Sequence, residues 1–151
     1  MNPLQCRAAR ALLGWSQLDL AIASGVSRVT VKNFETERRI PRQASLQEMR
    51  IAFEAAGITF IEENGEGPGV MMKKRSQPSQ FRAARCLLHW THSDVAEASG
   101  VSDATVMRLE TEQGTPRRAS LNAMRRAFGI AGAIFVEENG DNSGVRLRKT
   151  K

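Results

Sequence analysis

The chain has 151 residues and a mass of 16.6 kDa, with 22 Lys and Arg against 16 Asp and Glu, hence a net charge of +6 and a pI near 10.1. Charged residues make up 25% and hydrophobic residues 41%, a balance that excludes a disordered chain. No apolar run approaches the ~20 residues needed to cross a bilayer. Met1-Asn2-Pro3-Leu4-Gln5-Cys6-Arg7 lacks the apolar stretch of a signal peptide. Two cysteines without regular spacing argue against a disulfide framework and for a reducing, cytoplasmic setting. The positive balance favours a polyanionic partner, though only weakly.

The chain is an internal repeat. Residues 5–65 and 80–140 align without a gap at an offset of 75 residues: Arg7-Ala8-Ala9-Arg10 with Arg82-Ala83-Ala84-Arg85, Ala23-Ser24-Gly25-Val26-Ser27 with Ala98-Ser99-Gly100-Val101-Ser102, Glu35-Thr36-Glu37 with Glu110-Thr111-Glu112. Roughly 39 of about 72 aligned positions are identical, which marks a shared repeat. Two domains are expected, residues 1–75 and 76–151, joined by the polar segment Lys73-Lys74-Arg75-Ser76-Gln77-Pro78-Ser79. Each half carries 11 basic and 8 acidic residues, so net charge does not distinguish them.

In chain order, Asn2-Pro3 predicts a capped helix running to about Leu13. Ser16 with Asp19, and Thr91 with Asp94, predict capping boxes for a second helix. Gly25 and Gly100 end that helix in the left-handed conformation glycine adopts cheaply. Ser27 and Ser102 cap a third helix reaching about Thr36 and Thr111. A Pro-bearing basic loop follows: Arg38-Arg39-Ile40-Pro41-Arg42 in one copy, Gln113-Gly114-Thr115-Pro116-Arg117-Arg118 in the other. Ser45 and Ser120 are read as starting a fourth helix, with apolar stripes Leu46, Met49, Phe53 and Leu121, Met124, Phe128. Alternating Ile58-Thr59-Phe60-Ile61-Glu62, an Asn64-Gly65 turn and Val70-Met71-Met72-Lys73 predict a β-hairpin. The fold class is mainly α, with a small C-terminal hairpin in each copy.

The second and third helices carry the motif. Ala21 lies where two helices must approach closely, Gly25 turns the chain, and Leu20, Val26, Val31 and Phe34 lock the pair. Ala96, Gly100, Val95, Val101, Val106 and Leu109 occupy the matching places. With Leu13-Gly14-Trp15-Ser16-Gln17 at the start of the motif in the first copy and a basic Pro loop after it in both, each half resembles the Cro/CI, lambda-repressor-like (xenobiotic-response-element) family of helix-turn-helix proteins. The hairpin is not part of that family's common core.

The resemblance implies sequence-specific binding of double-stranded DNA, the third helix entering the major groove by its N-terminal turn. In the first copy Arg28, Val29, Lys32 and Asn33 would read bases: Arg28 guanine, Asn33 adenine, Val29 a thymine methyl. Gln17, Ser27, Thr30, Arg38, Arg39 and Arg42 would hold the backbone. In the second copy Asp103, Ala104 and Arg108 take the base-reading places, and His92, Ser102, Thr105, Arg117 and Arg118 the backbone ones. Lys32 is replaced by Met107, and Asp103 facing DNA tends to repel phosphate. The second copy therefore reads a different half-site or has turned toward a protein.

Other features invite plainer readings. Trp15 and Trp90 are expected in the core, and Cys6, like its counterpart Phe81, as packing. Cys86, His89 and His92 have a zinc-like spacing, but their counterparts Ala11, Gly14 and Gln17 bind no metal. Glu62-Glu63 and Glu137-Glu138 read as solvated strand charge rather than a catalytic pair. Arg7, Arg10, Arg82 and Arg85 either touch phosphate or solvate the first helix. No cofactor, metal site or catalytic activity is expected.

Two covalently linked reading heads raise the effective concentration for the second half-site. They predict an asymmetric site, with half-sites about one helical turn apart. The hairpins, placed alike, could pair edge to edge across a pseudo-two-fold axis, or mediate self-association. The leading reading is a cytoplasmic, bacterial-type, nucleoid-associated repressor that occludes polymerase. The alternative is a protein-interaction module such as an antitoxin or antiactivator.

Overall fold

The computed structural model describes residues 1–62, 67–73, 77–114, 116–138 and 142–148, and among these described residues it has eight helices and four strands. The two Asn-Gly turns, Glu63, Thr115, the side chain of Glu138 and the linker centre, with the expected division at residue 75, lie outside them.

The first copy runs α1 (Pro3–Leu13), α2 (Gln17–Ser24), α3 (Arg28–Glu35), α4 (Gln43–Ala55), β1 (Ile58–Ile61) and β2 (Gly69–Lys73). The second repeats it with α5 (Gln77–Leu87), α6 (His92–Ser99), α7 (Asp103–Glu110), α8 (Arg118–Ala131), β3 (Ala133–Glu138) and β4 (Asn142–Leu147). Local chemistry sets most boundaries. Asn2 and Gln5 form a reciprocal capping box, as do Ser16 with Asp19 and Thr91 with Asp94. In the last, the Thr91 N–H and hydroxyl hold the Asp94 carboxyl below its usual pKa. Gly25 and Gly100 close α2 and α6 at φ 74° and 75°, where a side chain would be strained.

The fourth helices depart from expectation. They start at Gln43 and Arg118, not at Ser45 and Ser120, and neither preceding arginine caps its helix with a side chain. Pro41 and Pro116 fix the approach, and helical geometry then sets in directly after Arg42 and Arg117. The serines therefore sit inside the first turn, whose orphan N–H groups lack a side-chain cap.

Each half of about 70 residues is too small to bury a generous core. The core is accordingly shared. Leu20, Val31, Met49 and Phe53 are fully buried in one half, Val95, Val106, Met124 and Phe128 in the other. Trp15 stacks on Phe53 and Trp90 on Phe128, with ring centroids 6.0 and 5.8 Å apart; both tryptophans are half-buried and pack against the core rather than inside it.

Between the halves, α1 packs against α5, and the two hairpins merge into one antiparallel sheet of order β1-β2-β4-β3. Ile58 pairs with Met72 and Ala133 with Leu147, the same register at an offset of 75. In the central pairing Val70 lies opposite Val145, its own repeat equivalent. Gly69 faces Arg146 and Met71 faces Gly144, two pairs that exchange under the same offset. The strands are thus related by a local two-fold axis passing between Val70 and Val145. This is the self-complementary interface of a symmetric dimer, formed within one chain.

Candidate nucleic-acid interface

The third helix of each copy is held by a buried carboxylate. Glu35, 2% exposed, accepts both forks of Arg10, Nε to Oε1 at 2.6 Å and Nη2 to Oε2 at 2.8 Å. It also accepts the Gln17 amide at 2.9 Å and the Cys6 thiol at 3.4 Å. Arg10 spends its remaining Nη1 on the Trp15 carbonyl. Burial works against the Arg10 charge, but the hydrogen bonds and charge of Glu35 prevail and raise its pKa. Burial and the Glu35 charge push the Cys6 thiol well above its ordinary range, so it stays protonated and inert.

The second copy rebuilds the arrangement. Arg85 forks onto Glu110 at 2.8 and 3.0 Å and reaches the Trp90 carbonyl. His92 gives Glu110 the bond that Gln17 gives Glu35, at 2.8 Å. Helix one, the turn after it, the start of helix two and the end of helix three are thereby tied at one point. Arg10 and Arg85 are therefore neither free phosphate contacts nor merely solvated charges. Sequence reasoning missed this role, although Arg and Glu stand at both places in both copies.

With the third helices anchored from behind, their outward residues point away from the core. Arg28, Val29 and Lys32 are exposed, Val29 by 67%, and Asn33 is half-buried beside them. In the second copy Asp103, Ala104, Met107 and Arg108 are exposed. Asp103 accepts a 3.3 Å hydrogen bond from Ser93 and sits at the positive end of α7, where a carboxylate is favoured. The Ser27 and Ser102 hydroxyls accept the N–H of Thr30 and Thr105 and bond to those hydroxyls, capping α3 and α7.

Beside each third helix lies a cleft leading to the first turn of the fourth. In the first copy it is about 460 Å³, lined by Val29, Thr30, Asn33, Arg39, Ile40, Pro41, Arg42 and Ser45. In the second it is about 430 Å³, lined by Thr105, Arg108, Gly114, Pro116, Arg117 and Ser120. Six positions correspond at the 75-residue offset. The structure thus gathers Thr30, Asn33, Arg39 and Arg42 on one side, and Thr105, Arg108 and Arg117 on the other. Arg38 and Arg118 are exposed nearby, outside the cleft linings. Exposed cations around the uncapped first turns of α4 and α8 give each cleft anion-binding character.

The zinc-like trio is dispersed. The His89 ring is 2.7 Å from Arg7, His92 binds Glu110, and Cys86 lies at the contact of the two halves. No helix among the described residues is long and apolar enough to cross a membrane.

A search of curated proteins returned no significant match. The family model for Cro/CI-type helix-turn-helix proteins, a family of DNA-binding transcription regulators, matches residues 7–54 and 81–135. These two segments cover more than half of the chain and contain both sets of anchored third helices. The chain belongs to the Cro/CI-type helix-turn-helix family, as a tandem of two copies.

Proposed function

We propose that the protein is a cytoplasmic transcriptional repressor that reads two unlike half-sites with the two heads of one chain. The supporting observation is the two-fold relation of the halves: the two third helices are each anchored by a buried Arg–Glu pair to their own first helix, and the two first helices pack on each other. That arrangement mirrors the symmetry of two half-sites on a duplex. Residues 1–75 and 76–151 act as the two reading units.

In the first unit Arg28, Val29, Lys32 and Asn33 read bases, while Ser27, Thr30, Arg38, Arg39 and Arg42 hold phosphates. Gln17 contributes through the start of α2, its side chain being engaged by Glu35. In the second unit Asp103, Ala104 and Arg108 read bases, and His92, Ser102, Thr105, Arg117 and Arg118 hold the backbone. Arg28 against Asp103 makes the preferred site asymmetric, with centres about one helical turn apart. Binding across a promoter would occlude polymerase.

Selection of bound duplexes from a random pool, followed by titration across salt, tests the reading. One bipartite, non-palindromic motif is expected, with affinity falling steeply with salt. Arg28→Ala should relax preference in one half-site only, at about 1–3 kcal/mol; Arg42→Ala should weaken all sequences alike. Failure to enrich any sequence at low salt would overturn the proposal. It would favour the alternative of a protein-binding module, for which Leu18 and Ile22, 52% and 74% exposed on α2 where the second copy has Ser93 and Glu97, offer an apolar surface.

A further inference from the structure

The contact of the two halves holds a second basic feature. A cleft of about 500 Å³ runs between α1 and α5, and both copies contribute equivalent residues to it, Arg7 with Arg82 and Arg10 with Arg85. The local two-fold axis therefore passes through it. Arg10 and Arg85 are neutralised there by Glu35 and Glu110. Arg7 and Arg82 are not: among the described residues neither forms a salt bridge. The Arg7 Nε is buried without a partner, and an Arg7 Nη2 rests against the His89 ring. Arg82 donates only to neutral oxygens, the Ala11 and Glu110 carbonyls and the Ser79 hydroxyl. Two guanidinium groups thus line the cleft, one from each copy, with no ion-pair partner among the described residues.

The axis has two ends. At one lies the sheet, which α1 meets through Gln5, its amide donating to the Ile61 and Gly69 carbonyls. At about 100° per residue, Arg7, Arg10 and Ala11 fall on the opposite face of α1. The cleft is the other end. Its rim includes Met107, an outward residue of α7, and His92 at the start of α6. A duplex read by both third helices must lie across the axis, and the end bordered by reading residues is the cleft end.

We propose that this cleft seats the DNA backbone at the centre of the bound site, with Arg7 and Arg82 as its phosphate ligands. The inference rests on the two-half-site reading above. It adds a contact between the half-sites that carries no base preference and bears on the duplex only when both heads are engaged. Phosphate would supply the missing counter-charge, and the bonds of Arg82 to the Ala11 and Glu110 carbonyls and of Arg7 to His89 hold the arginines in place before binding.

The test takes a duplex recovered by the selection and replaces its phosphates one at a time by uncharged methylphosphonate. For the wild-type protein, neutralising phosphates midway between the half-sites should weaken binding roughly three- to tenfold. For Arg7→Gln, which leaves only Arg82, the same replacement should cost clearly less, and the salt slope should fall by about one unit. Arg7→Lys, which keeps the charge, should restore the central penalty. Base preference in both half-sites should stay unchanged, which a merely structural loss would not predict. Arg82→Gln serves as a second variant, read only after circular dichroism shows it folded. An equal central penalty in wild type and Arg7→Gln, or none in either, overturns the proposal. So does inorganic phosphate held in the cleft while central replacements are silent, which would make it a small-anion site. If no duplex is ever selected, the two-half-site reading itself has failed, a distinguishable outcome.

Discussion

Glu35 serves three neighbours with two oxygens, so its removal is not the loss of one bond. Glu35→Ala leaves the largely buried Arg10 guanidinium without its carboxylate and frees the Gln17 amide and the Cys6 thiol. Breaking one side of a buried ion pair costs about 3–5 kcal/mol, and chemical denaturation should show a loss of that size. Replacing both partners, Arg10→Met with Glu35→Leu, should recover most of it. His89 makes a different prediction. It holds a left-handed φ of 57° where the first copy has Gly14 at 70°, and burial and then the Arg7 charge lower its pKa. A histidine with a lowered folded pKa binds fewer protons folded than unfolded, so its contribution is complete above its unfolded pKa of about 6.5 and is lost as pH falls through the folded value. His89→Gly should flatten the fall in stability on the acid side of about pH 6.5 relative to wild type. A titration of melting temperatures from pH 5 to 8 measures it. Neither the Glu35 cluster nor the Arg7–His89 contact was legible in the sequence, because their partners are 25 and 82 residues apart and only the fold joins them.

Elements whose boundaries depend on near neighbours were readable. Asn2, Ser16, Ser27, Thr91 and Ser102 each satisfy an N–H three residues on, a signal contained in four letters. The start of α4 and α8 was misread because Ser45 and Ser120 look like caps, whereas the chain after Pro41 and Pro116 is already helical two residues earlier. Pairing between the hairpins was anticipated only as one use of their edges, and its register was not readable, since strands 75 residues apart share no local signal. That register depends on close backbone contact. A Cβ on Gly144 would run into the Val70 carbonyl oxygen and Met71, whereas one on Gly25 meets no atom within 4 Å. Gly144→Val should therefore separate β2 from β4 and cost about 3 kcal/mol, the upper end of what overpacked cores lose. Gly25→Ala should cost only the about 1 kcal/mol of a left-handed alanine. Denaturation midpoints, with amide exchange of Met71 and Val145, distinguish the two outcomes.

At the scale of the whole molecule, the tandem organisation was plain from the 75-residue offset, the family from the residues of the two helix-turn-helix motifs, and the joining of the hairpins was among the expectations; the packing of α1 on α5 was not. The α1–α5 contact and the common sheet make each half part of the other's core. Unfolding should accordingly be one transition. Trp15 and Trp90 sit at equivalent places, each stacked on its own phenylalanine, and report the halves separately. Trp90→Phe and Trp15→Phe variants, each with a single tryptophan, should give coincident melting curves by fluorescence and calorimetry. Two separated midpoints would show independent folding.

The pairing of Val70 with Val145 also bears on how this chain can change. In an assembly of two identical chains every substitution is made twice, and a residue beside the axis must suit both of its appearances. Here each is made once. Glycine stands at both 69 and 144, where either Cβ would strike the opposing backbone, whereas their neighbours have parted into Met71 and Arg146. Joining the copies removed the obligation of sameness everywhere except where the backbones touch, and the reading helices, with Arg28 in one and Asp103 in the other, have used that freedom.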